Sequence, residues 1–156
     1  MNINLIAIGT RMPAWVNEGY REYARRLPHE CYLNLTEIPL GQRARSKTLE
    51  RAVAEEGRRM LAEISPGEYV IALDVKGRSW STEQLAGQCQ QWMQMGCGIS
   101  LLVGGPDGLS VPCLERAQQR WSLSPLTLPH TLVRVLLAEQ LYRAWTVMVG
   151  HPYHRA

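Results

Sequence analysis

The sequence predicts an α/β fold, a mostly parallel sheet with helices on both faces. Short apolar runs alternate with helix-length segments in the order βαβαβαβαβα, which is typical of such sheets. Residues 69–74 form a nearly continuous apolar run, as expected for a strand covered on both faces, and residues 99–103 predict the next buried strand. At 156 residues, without a linker or a repeat, residues 1–156 are expected to form a single domain.

The first half of the chain contains two predicted strand–helix units. Residues 3–8 are apolar and β-branched, which predicts a strand. Pro13 suits the first turn of the following helix, and Pro28 ends it. Residues 32–39 alternate as in a half-buried strand, and an apolar stripe predicts a helix over 49–64.

The second half continues the alternation. Residues 69–74 predict the third strand, and Ser81 and Gln84 form a capping box that begins a helix extending to Met95. The remaining predicted elements, in chain order, are a strand at 99–103, a glycine turn at 104–108, a short helix at 111–119, an extended segment at 121–128 and a helix at 131–149. Pro125 and Pro129 prevent the extended segment from forming a helix.

Charge patterning permits RNA binding without requiring it. The net charge is only +3, and the basic residues are almost all arginine, which binds phosphate bidentately. A GC-rich genome would produce the same bias. The basic stretch 41–48 is predicted to be a loop, either solvated or lying on RNA phosphates.

Three polar or glycine-rich segments follow predicted strands, at residues 74–80, 104–109 and 122–130. Parallel strands end at a common edge, where such sheets bind ligands, so these segments predict a site. Neither the GxGxxG nor the GxxxxGK[ST] pattern occurs, which disfavours phosphate-cradling loops. Leucine, proline and Ser/Thr at 123–128 favour an uncharged heterocycle and a ribose, as in adenosine.

The cysteines and the hydropathy pattern indicate a cytoplasmic protein that binds no metal and enters no membrane. The four cysteines have no CxxC spacing and are expected to be reduced thiols. No run of about 18 uncharged apolar residues occurs.

Several motifs resemble the ribosomal large-subunit pseudouridine N3-methyltransferase family of the SPOUT class. They are Ala-Ile-Gly-Thr-Arg-Met-Pro (7–13), Gly-Gly-Pro-Asp-Gly-Leu (104–109), Leu-Ser-Pro-Leu-Thr-Leu-Pro-His (123–130), Leu-Val-Arg-Val-Leu-Leu-Ala-Glu-Gln-Leu-Tyr-Arg-Ala (132–144) and His-Pro-Tyr-His-Arg (151–155). The resemblance implies a C-terminal trefoil knot, S-adenosyl-L-methionine as cofactor and a homodimer with composite active sites. The implied reaction methylates N3 of a pseudouridine in 23S ribosomal RNA, on the assembled ribosome.

The resemblance also assigns site residues. Those implied to bind the cofactor are Leu73, Gly104, Gly105, Leu123, Ser124, Pro125, Leu126, Thr127 and Leu128. N3 of pseudouridine is weakly acidic and must lose its proton, so a base or a stabilising cation is expected. The catalytic candidates are His130, Arg134 and His154, and the candidates for RNA contact are Arg143, His151, Tyr153 and Arg155. The sequence does not decide which side chain accepts the proton.

Three other functions stay open at this point. A non-catalytic ribosome-associated RNA-binding factor with this fold would bind RNA but not S-adenosylmethionine. A SPOUT methyltransferase acting on transfer RNA would share the cofactor residues. A flavodoxin-like binder of another nucleotide fits the α/β order but would require a phosphate loop that this sequence does not contain.

Overall fold

A computed structural model describes residues 1–43 and 48–155. The strands are β1 (Asn2–Ile8), β2 (Tyr32–Ile38), β3 (Tyr69–Ser79), β4 (Ile99–Val103) and β5 (Gln119–Ser122). The helices are α1 (Ala14–Ala24), α2 (Leu49–Ala62), α3 (Thr82–Met95), α4 (Val111–Arg116) and α5 (His130–Val149), with short 3-10 turns at His29–Cys31 and Pro152–Arg155. Of the basic stretch 41–48, residues 44–47 lie outside the described part.

The five strands form a sheet in the order β2-β1-β4-β3-β5, and every pairing is parallel. The predicted α/β fold with a parallel sheet is therefore confirmed. Strand β4 lies between β1 and β3, so the chain returns to the centre of the sheet after forming its third strand. The trefoil knot stays a prediction.

Successive strand residues point to opposite faces of the sheet and build two cores. Ile3, Leu5 and Leu101 lie in a cluster with residues of α1, α3 and α5. Ile6 and Leu102 lie in a second cluster with residues of α2 and α4. Helix α5 packs against both α1 and α3, so its first turn is held at the carboxyl edge of the sheet.

Several predicted boundaries were wrong. Helix α1 ends at Ala24 rather than at Pro28, and β5 begins at Gln119 rather than at Trp121. Strand β3 does not end at Asp74 but continues to Ser79, with an irregularity between Leu73 and Arg78 where it pairs with β5. Gly77 permits this pairing, because a Cβ there would lie 2.6 Å from the carbonyl carbon of Arg120. Helix α4 ends at Arg116 rather than at residue 119, because the next residues bond to β3.

Within residues 1–43 and 48–155, the structure contains no helix with the length and apolarity needed to cross a membrane. The same residues contain no group of three or more His, Cys, Asp or Glu side chains arranged to hold a metal ion.

Candidate functional site

A pocket with a cavity volume of about 170 Å³ opens at the carboxyl edge of the sheet. Strands β3, β4 and β5, the glycine turn (residues 104–108), the pocket loop (residues 123–128) and the start of α5 surround it. The lining residues are Leu73, Asp74, Val75, Val103, Gly104, Gly105, Gly108, Leu109, Trp121, Ser122, Leu123, Ser124, Leu126, Thr127, Leu128, His130 and Val133. The structure thus brings together eight of the nine predicted cofactor residues, with Pro125 outside the lining.

The glycine turn presents backbone rather than side chains to the pocket. A Cβ on Gly104 would lie 2.6 Å from the carbonyl carbon of Gly108, which excludes any side chain there. Gly108 has a φ of 79°, in the left-handed region, and donates its N–H to the carbonyl of Gly105 at 3.1 Å. A Cβ on Gly105 would lie 3.0 Å from Ile8 Cγ2. Small size at 104 and 105 therefore permits the tight packing of the turn whose backbone lines the pocket.

The pocket loop is ordered by the hydroxyl groups of Ser122 and Ser124. Ser122 Oγ donates to the carbonyl of Ser124 at 3.0 Å, and the N–H of Leu126 donates to Ser124 Oγ at 2.9 Å. These bonds hold the leucines of the loop around the opening. Leu126 is 74% exposed, a large exposure for an apolar residue that lines a pocket. A ligand in the pocket would cover that surface.

Trp121 lines the pocket but is itself 2% exposed. It pairs with Leu73 across β5 and β3, and its ring stacks on that of Trp80 with centroids 5.1 Å apart. Trp80 in turn packs against Trp92 at 6.1 Å. The pocket therefore has a rigid aromatic wall. Trp121 was not among the predicted site residues, although its position directly before the predicted site segment 122–130 was the available signal.

His130 is the first residue of α5 and reaches the pocket. Burial, together with the nearby charge of Arg134, lowers the pKa of its imidazole below the usual 6.5. The ring is therefore neutral at pH 7 and can accept a proton. Of the three predicted catalytic residues, His130 is the one that lines the pocket.

Arg134, one turn further along α5, faces the core instead. Its side chain is 1% exposed, and Nη2 donates to the carbonyl oxygens of Ile8 at 3.2 Å and Gly9 at 2.7 Å. Nη1 bonds to Glu37 Oε2 at 2.6 Å. The guanidinium thus fixes the end of β1 to α5. This geometry supports a positioning role for Arg134, and Glu37 is a partner that sequence analysis missed.

The tail (residues 150–155) lies at the opposite end of α5. The helix has 20 residues and therefore spans about 30 Å. Tyr153 folds back onto it, donating its hydroxyl to Glu139 Oε1 at 3.0 Å and packing against Tyr142 at 4.7 Å between centroids. Arg143 bonds to the same Glu139 oxygen at 2.6 Å and lies over the Tyr153 ring.

The other predicted residues of the tail surround this cluster. His151 packs near Trp145 at 6.4 Å, and Arg155 is exposed. The Nδ1 atom of His154 is buried and has no hydrogen-bond partner among the described residues. Burial, with hydrogen bonds to Tyr23 and Glu139, raises the pKa of Tyr153 to about 12. Within one chain, these residues and the pocket are two separate groups.

The parallel sheet and the glycine-edged pocket at its carboxyl edge define an α/β ligand-binding protein of a fold found in solved methylases. A probable methylase family protein from Haemophilus influenzae shares it, with a TM-score of 0.58 at 12% identity, over 97% of this chain and 69% of that one. A putative methyltransferase from Legionella pneumophila, solved with bound SAM, has a TM-score of 0.50 at 12% identity, over 92% and 66%. At these identities the likeness shows the fold alone.

The chain belongs to the SPOUT methyltransferase family, because the family model described as "Predicted SPOUT methyltransferase" matches residues 1–154. It is 56% identical over 99% of its length to the whole of a Methylococcus capsulatus protein named ribosomal RNA large subunit methyltransferase H. A protein of the same name from Pseudomonas entomophila is 54% identical over the same shares. The resemblance seen in the sequence is confirmed.

Proposed function

We propose that this protein transfers a methyl group from S-adenosyl-L-methionine to N3 of a pseudouridine in 23S ribosomal RNA. One observation carries the proposal. Eight predicted cofactor residues and His130 meet at a single pocket, in a chain 56% identical to a ribosomal RNA large subunit methyltransferase H. The same observation disfavours a non-catalytic RNA-binding factor and a methyltransferase acting on transfer RNA.

The pocket residues fit the cofactor by their chemistry. Leu73, Leu123, Leu126 and Leu128 offer apolar walls to an adenine ring, and backbone groups of the same loop are available to its nitrogens. Gly104 and Gly105 permit the compact turn whose backbone lines the pocket. When bound, S-adenosylmethionine supplies an already activated methyl group, so the protein's task is to align the acceptor and exclude water.

His130 is proposed as the proton acceptor. An imidazole that is neutral at pH 7 and opens into the pocket can take the N3 proton. Arg134 is proposed to hold the helix turn that carries His130 rather than to touch substrate. Both terminal nitrogens of its guanidinium are bonded, one to Glu37 and the other to two carbonyl oxygens.

The tail is proposed to act on the pocket of a second subunit. Along α5, Glu139 and Arg143 lie about 14 and 20 Å from His130, and within one chain the tail contacts these residues rather than the pocket. A second subunit could bring a tail to the pocket. A homodimer with composite sites would place His154 near the reaction and Arg143, His151, Tyr153 and Arg155 against RNA. We propose that this dimer acts in the cytoplasm on the assembled ribosome, which itself supplies much of the recognition surface.

The first test is calorimetric titration with S-adenosylmethionine. Wild-type protein should bind, and Gly105→Val should lose detectable binding, because its side chain would clash with Ile8 and displace the turn that lines the pocket. Gly87→Ala is the matched control, since a Cβ at exposed Gly87 meets nothing within 4 Å. Unchanged binding by a folded Gly105→Val protein would show that the cofactor lies elsewhere.

A further inference from the structure

A three-residue ionic network joins the β2–α2 connection to the glycine turn. Arg43 donates Nε to Asp107 Oδ2 at 3.0 Å, and its Nη2 lies 2.9 Å from the same oxygen. Nη1 of Arg43 bonds to Glu56 Oε2 at 2.9 Å and to the carbonyl of Gly41 at 2.8 Å. One guanidinium therefore bridges two carboxylates that lie far apart in sequence.

The network is anchored in the core. Glu56 lies on the buried face of α2 and is 2% exposed, and its Oε2 also accepts the N–H of Gly41 at 2.8 Å. Gly41 lies so close to α2 that a Cβ there would meet the Ala52 carbonyl oxygen at 2.3 Å. Arg43, whose side chain is 25% exposed, is thus held by Glu56 and by the carbonyl of Gly41, both of which are fixed against α2.

Asp107 is where this anchored arginine meets the pocket. It lies within the glycine turn, between Gly105 and Gly108, which both line the pocket. Three glycines in five residues make this turn conformationally permissive, and ordering such a backbone costs entropy. Within the described residues, the Asp107 carboxylate is the turn's ionic contact with the rest of the fold.

We propose that Arg43 is a positioning residue that holds the glycine turn in its cofactor-binding conformation through Asp107. Neither residue lines the pocket, so the effect is transmitted through the backbone of the turn. The inference rests on the proposed position of S-adenosylmethionine. If the turn is ordered before binding, the cofactor does not have to order it, and the apparent affinity is higher.

Asp107→Ala is the central variant, because it frees the turn while Arg43 keeps its partner Glu56. We expect its Kd and KM for S-adenosylmethionine to rise about tenfold, which is a typical size for the coupling between a distant contact and a binding site. The kcat at saturating cofactor and the KM for ribosomal substrate should stay within about twofold. Asp107→Glu should restore most of the affinity.

Arg43→Lys completes the test, because lysine keeps a charge beside buried Glu56 but cannot bridge two carboxylates. It should raise the Kd as Asp107→Ala does, and the double variant should be no worse than either single one. The matched control is Glu55→Ala, which removes an ion pair with Arg59 on the same helix. Its affinity should equal that of the wild type.

The outcomes separate this inference from the proposed function. A wild-type Kd for Asp107→Ala, with binding abolished by Gly105→Val, would overturn the inference and leave the function intact. A lower melting temperature and a reduced binding stoichiometry at unchanged Kd would make the network merely structural. If Arg43→Lys binds normally while Asp107→Ala does not, Asp107 contacts the ligand directly and the bridge is refuted. If Gly105→Val also binds normally, the cofactor position itself is wrong.

Discussion

His130 and Arg134 stand one turn apart on α5 but have opposite environments. His130 opens into the pocket, whereas Arg134 is 1% exposed and bonded on the core side. The buried cation still acts on the histidine, since its charge is one of the two causes that lower the imidazole pKa. The pair therefore lets a fixed charge keep a nearby base unprotonated.

The pH dependence of methyl transfer tests His130. A base with a pKa lowered below 6.5 is active when neutral, so kcat/KM should be flat near pH 7 and fall as the pH drops through that pKa. His130→Asn should lower kcat by about 100-fold and remove this acid limb. His29→Asn, at an exposed position, is the control and should keep the wild-type profile. An unaltered acid limb in His130→Asn would assign the base elsewhere.

Arg134→Met should destabilise the fold. The substitution leaves Glu37 without its cation and two carbonyl oxygens at the end of β1 without a donor. We expect a loss of about 3 kcal/mol in the free energy of unfolding, measured by urea denaturation. Arg25→Met removes a surface ion pair and should leave the midpoint nearly unchanged. Wild-type stability in Arg134→Met would refute the anchoring role.

Among the helices and strands, the elements that short-range sequence patterns determine were predicted correctly. The capping box at Ser81 and Gln84 is present, with both reciprocal bonds. The apolar run at 99–103 is a fully buried strand. The continuation of β3 was not predictable, because Lys-Gly-Arg at 76–78 has the composition of a turn. Only tertiary pairing with β5 keeps it extended.

For the site, the segments that form it could be predicted from the sequence, but the long-range side-chain contacts could not. The glycine turn and the pocket loop follow strands, and parallel topology alone brings them to one edge of the sheet. The Glu37–Arg134 and Arg43–Asp107 contacts join residues 97 and 64 positions apart, and nothing in the local sequence indicates such pairs. Whether a histidine opens into a pocket or a tail folds onto its own helix depends on packing.

For the whole molecule, α5 sets the geometry of function. Its first turn completes the pocket and its middle carries the Glu139–Arg143–Tyr153 cluster, with Glu139 about 14 Å and Arg143 about 20 Å along the helix from His130. The proposal of a composite site follows from this separation. The single domain, the knot and the dimer stay predictions, and light scattering on a sizing column would test the dimer directly.

Subunit mixing tests the composite site. Gly105→Val protein has a damaged pocket and an intact tail, and a chain lacking residues 153–156 has the reverse. Each should be inactive alone. Random co-assembly should restore about a quarter of wild-type activity, because half of the dimers are mixed and each mixed dimer has one complete site. Full activity of the truncated chain alone, or no recovery in confirmed mixed dimers, would contradict the composite site.

The stacked rings of Trp80 and Trp121 give the molecule a built-in optical signal. Trp121 belongs to the pocket lining. The ring centroid of Trp80 lies 5.1 Å from that of Trp121 and 6.1 Å from that of Trp92. Three of the five tryptophans therefore share one environment that a ligand would touch. Intrinsic emission should change when the pocket fills, so occupancy can be followed in real time without a label and before any RNA is added.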